Sequence, residues 1–74
     1  MPAQYEKLSI RNQLEGKVKE IVHGPVVSEI VVKTKAGTLA SVITSRSVKE
    51  MKLKKGDRVF VMIKATEASI QKPG

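Results

Sequence analysis

Short β-branched segments separated by turn residues leave this chain few architectures to choose from. Leu14 to Val22 reads as a first strand, with Lys17, Lys19 and Glu20 interspersed, and it stops at the loop His23-Gly24-Pro25. Val26 to Lys35, rich in valine and isoleucine, is the clearest strand; Ala36-Gly37 closes it as a hairpin into Thr38 to Thr44. Lys54-Lys55-Gly56-Asp57 is a turn, Arg58 to Lys64 a fourth strand, and Glu67 to Gln71 a short fifth. Ser47 followed three residues later by Glu50 has capping-box spacing, which predicts a helix over Val48 to Leu53.

This order predicts an all-β fold: a small five-stranded Greek-key barrel of the oligonucleotide/oligosaccharide-binding (OB) type, with one short helix between its third and fourth strands. Period 2 adds a second deduction. Val59, Val61 and Ile63 share one face of the fourth strand while Phe60 and Met62 share the other, and Val27 and Val31 lie opposite Val26, Ile30 and Val32. A lone barrel of 74 residues cannot bury two apolar faces, so closed assembly of identical copies is expected. One domain over residues 8–71 is predicted, with loose ends at 1–7 and 72–74.

Composition narrows the function. Cysteine is absent, which removes disulfides, thiolate metal sites and redox work together. The net charge of +7 favours anionic partners: nucleic acid, anionic lipid or small oxyanions. A base-stacking platform needs aromatic side chains, and Tyr5 and Phe60 are the only two, so no nucleic-acid partner is expected. No amphipathic helix of useful length and no long apolar run point to a membrane, and the start lacks the pattern of an export signal, so a cytoplasmic location is expected.

Three segments carry hydroxyls beside single cations: Ser9-Ile10-Arg11-Asn12-Gln13-Leu14, Ile43-Thr44-Ser45-Arg46-Ser47 and Ile63-Lys64-Ala65-Thr66-Glu67. None contains a nucleophile–base pair or a carboxylate cluster, so they suit holding an anion rather than transforming a substrate, and no enzyme is expected. Each residue also has a plainer role. Arg11-Asn12 reads as a surface turn, Lys64 as a snorkelling rim lysine, Thr44 as a strand former and Ser47 as an ordinary N-cap. His23 is a lone histidine in a loop, and with no second His or Cys it completes no site for a bare cation. Gly16, Gly24, Gly37 and Gly56 are spaced as turn and bulge residues, without a nucleotide-binding fingerprint.

Taken together, the segments resemble the molbindin (Mop) family and the equivalent TOBE/Mop-type domain of molybdate-responsive regulators and molybdate transporter ATPases. The resemblance runs through Ser9 to Leu14 with Gly16 and Val18, Gly24-x-Val26, Ser41-x-Ile43-Thr44-x-x-Ser47, Leu53-x-x-Gly56-Asp57-x-Val59 and Ile63 to Glu67. It implies a hexamer built as a trimer of dimers that holds molybdate or tungstate at subunit interfaces, for molybdenum storage or homeostasis. Carried over by position, Arg11 and Lys64 supply charge, Ser9, Thr44 and Ser47 supply hydroxyls, and the amides around Asn12, Ala65 and Thr66 complete the shell. His23, Gly24 and Val26 mark a second oxyanion site, where Pro25 departs from the pattern by removing a backbone donor. Two other roles stay open: a molybdate-responsive regulatory module acting on another protein, and binding of a molybdenum–pterin. The Met1 start favours a free-standing protein.

Overall fold

The computed structural model describes residues 12–74. Its elements run β1 (Asn12–Val22), β2 (Val27–Thr34), β3 (Gly37–Thr44), α1 (Ser45–Met51), β4 (Arg58–Ile63) and a 3₁₀ turn at Ala65–Glu67. The four strands form one antiparallel sheet in the order β3-β2-β1-β4. The mostly-β fold expected from the alternating pattern is present, with β3 and β4 as the sheet's two edges.

The hairpin forms where the turn residues placed it, one residue shifted. Thr34 pairs with Gly37 across Lys35 and Ala36. The Thr34 hydroxyl accepts the Ala36 N–H at 3.1 Å and donates to the Gly37 carbonyl at 2.8 Å, closing the turn through a side chain. Gly37 itself has φ 122°, a conformation L side chains rarely adopt. β1 begins at Asn12, two residues before the expected Leu14, because Asn12 and Gln13 pair with Ile63 and Met62 of β4.

Two devices curl the sheet. The β1–β2 pairing passes from Val18↔Val32 to Glu20↔Val31, leaving Lys19 as an extra residue whose bulge increases the local twist. Three residues earlier, a Cβ on Gly16 would lie 2.5 Å from the Lys33 carbonyl oxygen, so only glycine lets the two strands approach this closely. The turn before β4 is pinned at the same level: Val18 donates to the Asp57 carbonyl at 2.9 Å and accepts from Gly56 at 2.8 Å.

The curled sheet buries Val18, Ile30 and Val32 against Val48 of α1, with Ile21, Ile43, Leu53, Val59 and Val61 packed around them half-buried. Among the described residues four buried apolar side chains make a small core. On the outer face Phe60 and Met62 are 40% and 41% exposed and Val42 67%, so the two-sided apolarity read from the alternation is real. Val26 falls in the bend before β2 and is exposed, instead of joining Ile30 and Val32 on the inner face.

Two expectations are corrected. The helix spans Ser45–Met51 and not Val48 to Leu53, and its N-cap is Thr44 and not Ser47. Thr44-x-x-Ser47 and Ser47-x-x-Glu50 both carry cap spacing; the backbone decides, because Thr44 is extended (φ −68°, ψ 145°) and its hydroxyl accepts the Ser47 N–H. Glu50 pairs instead with Arg46 one turn earlier, at 3.2 Å. The fifth strand expected over Glu67 to Gln71 does not form within this chain: Glu67 belongs to the 3₁₀ turn, and residues 68–74 are exposed and carry no strand. Alternation specifies a face but not a partner, and no pairing among the described residues uses it.

Candidate functional site

Among the described residues, the anion-site candidates fall into two groups. Asn12 opens β1 and pairs with Ile63, the last residue of β4, so Lys64 and the Ala65–Glu67 turn that contains Thr66 follow directly beside it. Thr44 closes β3, paired with Val27, and Ser47 lies in the first turn of α1. Ser9 and Arg11 lie outside the described residues.

Strand direction separates the groups. β1 runs from Asn12 at one end of the sheet to Val22 at the other, and Val22 pairs with Glu29 near the start of β2, the end at which Thr44 meets Val27. Ten residues of strand span about 33 Å. Lys64 and Asn12 therefore sit at one end of the sheet, beside edge strand β4, and Thr44 and Ser47 at the other, on edge strand β3 and the helix that follows it. One subunit does not gather the set.

The hydroxyls have distinct duties. Thr44 accepts from the Ser47 N–H at 3.1 Å and donates its own proton to the Ser47 Oγ at 2.8 Å, so both of its roles are used inside the helix cap. Ser47 accepts that bond and keeps its proton for another acceptor. Of the two, Ser47 is the hydroxyl equipped to donate to an anion, and Thr44 orients it.

The proposed second-site loop shares this end of the sheet. Ser45 donates its N–H to the Val26 carbonyl at 2.8 Å and its hydroxyl to the Gly24 carbonyl at 2.6 Å. Ser28, buried at 2% exposure, lies 2.7 Å from the Ser45 oxygen, and because the Ser45 proton is committed to Gly24, Ser28 is the donor between them. The Gly24 N–H completes the ring by pointing at the Ser28 oxygen at 3.4 Å. Gly24 is itself required, since a Cβ there would lie 2.3 Å from the Val27 carbonyl oxygen. His23, Gly24 and Val26 are thereby held against the start of α1, beside Thr44 and Ser47. No sequence pattern marks Ser45 as a positioning residue, and the one signal for Ser28 is its place on the inward register of Ile30 and Val32.

Charge at this end comes from a shallow depression in which His23 meets Lys19, Lys54 and Lys55, with Glu20 as its one carboxylate. Lys54 is fixed by the turn, its N–H donating to the Asp57 carboxylate at 3.0 Å. No group of three or more His, Cys, Asp or Glu side chains suited to a metal cation exists among the described residues. No helix among them is long and apolar enough to cross a membrane. The hydroxyls, amides and lysines gathered here are donors suited to an anion.

The TOBE domain model matches residues 8–70. The chain is 36% identical over 64 residues to molybdenum-pterin-binding protein 1 of Clostridium pasteurianum, a match covering 85% of this chain and 94% of that protein. It superposes on the solved molybdate-binding protein of Sporomusa ovata with a TM-score of 0.86 and 45% identity, over 89% of this chain and 98% of that one. The cytoplasmic molybdate-binding protein ModG, solved with molybdate bound, is similar at TM-score 0.78 and 37% identity, over 82% of this chain and 44% of the longer ModG chain. On its sequence and on its fold, the chain belongs to the TOBE domain family.

Proposed function

We propose that this protein binds molybdate or tungstate between subunits of a homo-oligomer, a hexamer arranged as a trimer of dimers, and serves molybdenum storage or homeostasis in the cytoplasm without catalysis. The observation that carries the reading is the separation of the two donor groups. Lys64, Ala65, Thr66 and Asn12 stand at one end of the sheet and Ser47 with its orienting Thr44 at the other, so the set converges only where one copy meets another. Ser9 and Arg11 precede Asn12 in sequence and belong to the Lys64 group in this assignment.

A tetrahedral dianion loses a large solvation energy on leaving water, and only converging charged and neutral donors replace it. Lys64 and Arg11 would supply charge from one subunit and Ser47 a hydroxyl from the next, while His23, Gly24 and Val26 would form a second site at the Ser47 end. Similar proteins named for molybdate and for a molybdenum–pterin support the ligand class. The fifth strand of the barrel is completed on assembly in this reading.

Titration calorimetry with molybdate, sulfate and single-stranded DNA, alongside light scattering, tests the assignment. Molybdate should bind well ahead of sulfate, because the smaller ion leaves donors out of reach, and Lys64→Ala should weaken molybdate roughly ten- to a hundredfold with the assembly mass unchanged. Equal binding of sulfate and molybdate, or a persistent monomer, refutes the reading. A molybdenum–pterin bound in preference to molybdate would move the ligand to the larger cofactor.

A further inference from the structure

The bulge in β1 does more than curl the sheet. Val18 and Ile21 both pack into the core although they stand three residues apart, a spacing that puts side chains on opposite faces of a regular strand. The extra residue at Lys19 absorbs the change of phase and leaves Lys19 and Glu20 both exposed. Three consecutive residues, Lys19, Glu20 and Ile21, therefore line one depression of about 590 Å³, which Leu53, Lys54 and Lys55 close from the other side.

The turn that carries Lys54 and Lys55 is built onto the bulge. Gly56 donates its N–H to the Val18 carbonyl at 2.8 Å, and Val18 donates its own to the Asp57 carbonyl at 2.9 Å, so the turn hangs from the residue immediately before Lys19. Within the turn Asp57 donates its N–H to the Lys54 carbonyl at 3.1 Å, and its carboxylate accepts the Lys54 N–H at 3.0 Å. Like charges repel, yet this frame holds three lysines around one hollow. None of the three forms an ion pair among the described residues, where Arg58 takes Glu15 and Arg46 takes Glu50. Cations held together without a partner raise the local concentration of an anion from outside.

Charge, size and lining decide which anion fits. Three lysines against one carboxylate, Glu20, leave two positive charges before His23 is counted, and a phosphate monoester carries about −1.5 to −2 at neutral pH. The volume lies within the range of about 300–1,000 Å³ typical of small-molecule sites, far more than a lone tetrahedral oxyanion fills. Half-buried Ile21 and Leu53 give an organic body an apolar floor, and Glu20 gives it a hydrogen-bond acceptor. We propose that this depression binds a phosphate monoester of the nucleoside monophosphate type. Lys19, Lys54 and Lys55 hold the phosphate, Ile21 and Leu53 carry the body, and Glu20 accepts from its N–H groups. The site lies at the end of the sheet away from Lys64 and stands independently of the molybdate reading.

Calorimetric titration of the full-length protein with adenosine 5′-monophosphate, ribose 5-phosphate and adenosine tests the assignment. The nucleotide should bind about tenfold or more ahead of either fragment, because only it reaches both the lysines and the apolar floor. Lys19→Gln and Lys55→Gln should each weaken it several-fold to about tenfold. Lys33→Gln, which removes the same charge outside the depression, should leave the affinity unchanged. Circular dichroism of each variant should match the wild type, so that a folding defect does not imitate a lost contact. Equal weakening by Lys33→Gln overturns the proposal, since net charge alone would then attract the nucleotide. Ribose 5-phosphate bound as tightly as the nucleotide also overturns it, as does displacement of the nucleotide by an equal concentration of molybdate, which would give the depression to the oxyanion. A polyglutamate peptide bound more tightly than the nucleotide through the same lysines would assign the surface to an acidic protein instead.

Discussion

Ser45→Ala should destabilise this protein more than an exposed serine would, and the ring through Gly24, Ser28 and Ser45 sets the size of the effect. The Ser45 hydroxyl donates to the Gly24 carbonyl at 2.6 Å and accepts from Ser28 at 2.7 Å. Its removal forfeits a net hydrogen bond, about 1 kcal/mol, and leaves the Ser28 hydroxyl buried without an acceptor, about 1–2 kcal/mol more. Ser28→Ala should cost only about 1 kcal/mol, since Ser45 keeps its bond to Gly24 and the Gly24 N–H loses a long contact. The double variant carries no orphaned hydroxyl, so it should cost about 2 kcal/mol, less than the singles together by about 1 kcal/mol or more. Urea denaturation followed by circular dichroism, at one fixed subunit concentration, measures all four proteins; there is no tryptophan to follow. Single-variant costs that add within about 0.3 kcal/mol would show that the hydroxyls do not act as a ring.

Thr44→Ala should lower stability by about 1 kcal/mol through loss of the α1 cap, while Thr44→Ser should keep most of it; thermal melts of both variants separate capping from ligand binding. Lys52 holds φ 54° at the end of α1, so Lys52→Gly should raise stability by about 0.5 kcal/mol, seen as a higher melting temperature with an unchanged spectrum, and a lower one would show that the lysine is not strained there.

The strands were legible because two independent signals agreed on them. β-branched residues at period 2 named the segments, and Gly37, Gly56 and the Gly24-Pro25 step named the breaks. The helix start was less legible: Thr44, Ser45 and Ser47 all favour caps, and the choice fell to the backbone leaving β3, which no local spacing reports. The expected fifth strand over Glu67 to Gln71 is absent because alternation names a face while pairing is a property of two edges, and no edge among the described residues engages this segment. For the candidate site, residue types are legible in the sequence and their placement is not. Hydroxyls beside single cations read directly from 43–47 and 63–67, whereas their placement at opposite ends of the sheet follows from the antiparallel register of all four strands. Ser28 was hidden for another reason: a buried serine inside a valine-rich strand earns its meaning from Ser45, which lies 17 residues away.

The uncharged run Val59-Phe60-Val61-Met62-Ile63 occupies an outer strand of the sheet. Apolar stretches of this length with high strand propensity and no proline are the segments from which misassembled β-structure grows when they are left uncovered. Arg58 and Lys64 stand immediately before and after it, where single charges discourage the stacking of like chains. Lys64 would then serve two ends at once, guarding the newly made chain against aggregation before it serves the folded one. Its replacement should therefore lower the yield of soluble protein in growing cells as well as the affinity of what is recovered, and an assay on purified material alone would miss the first loss.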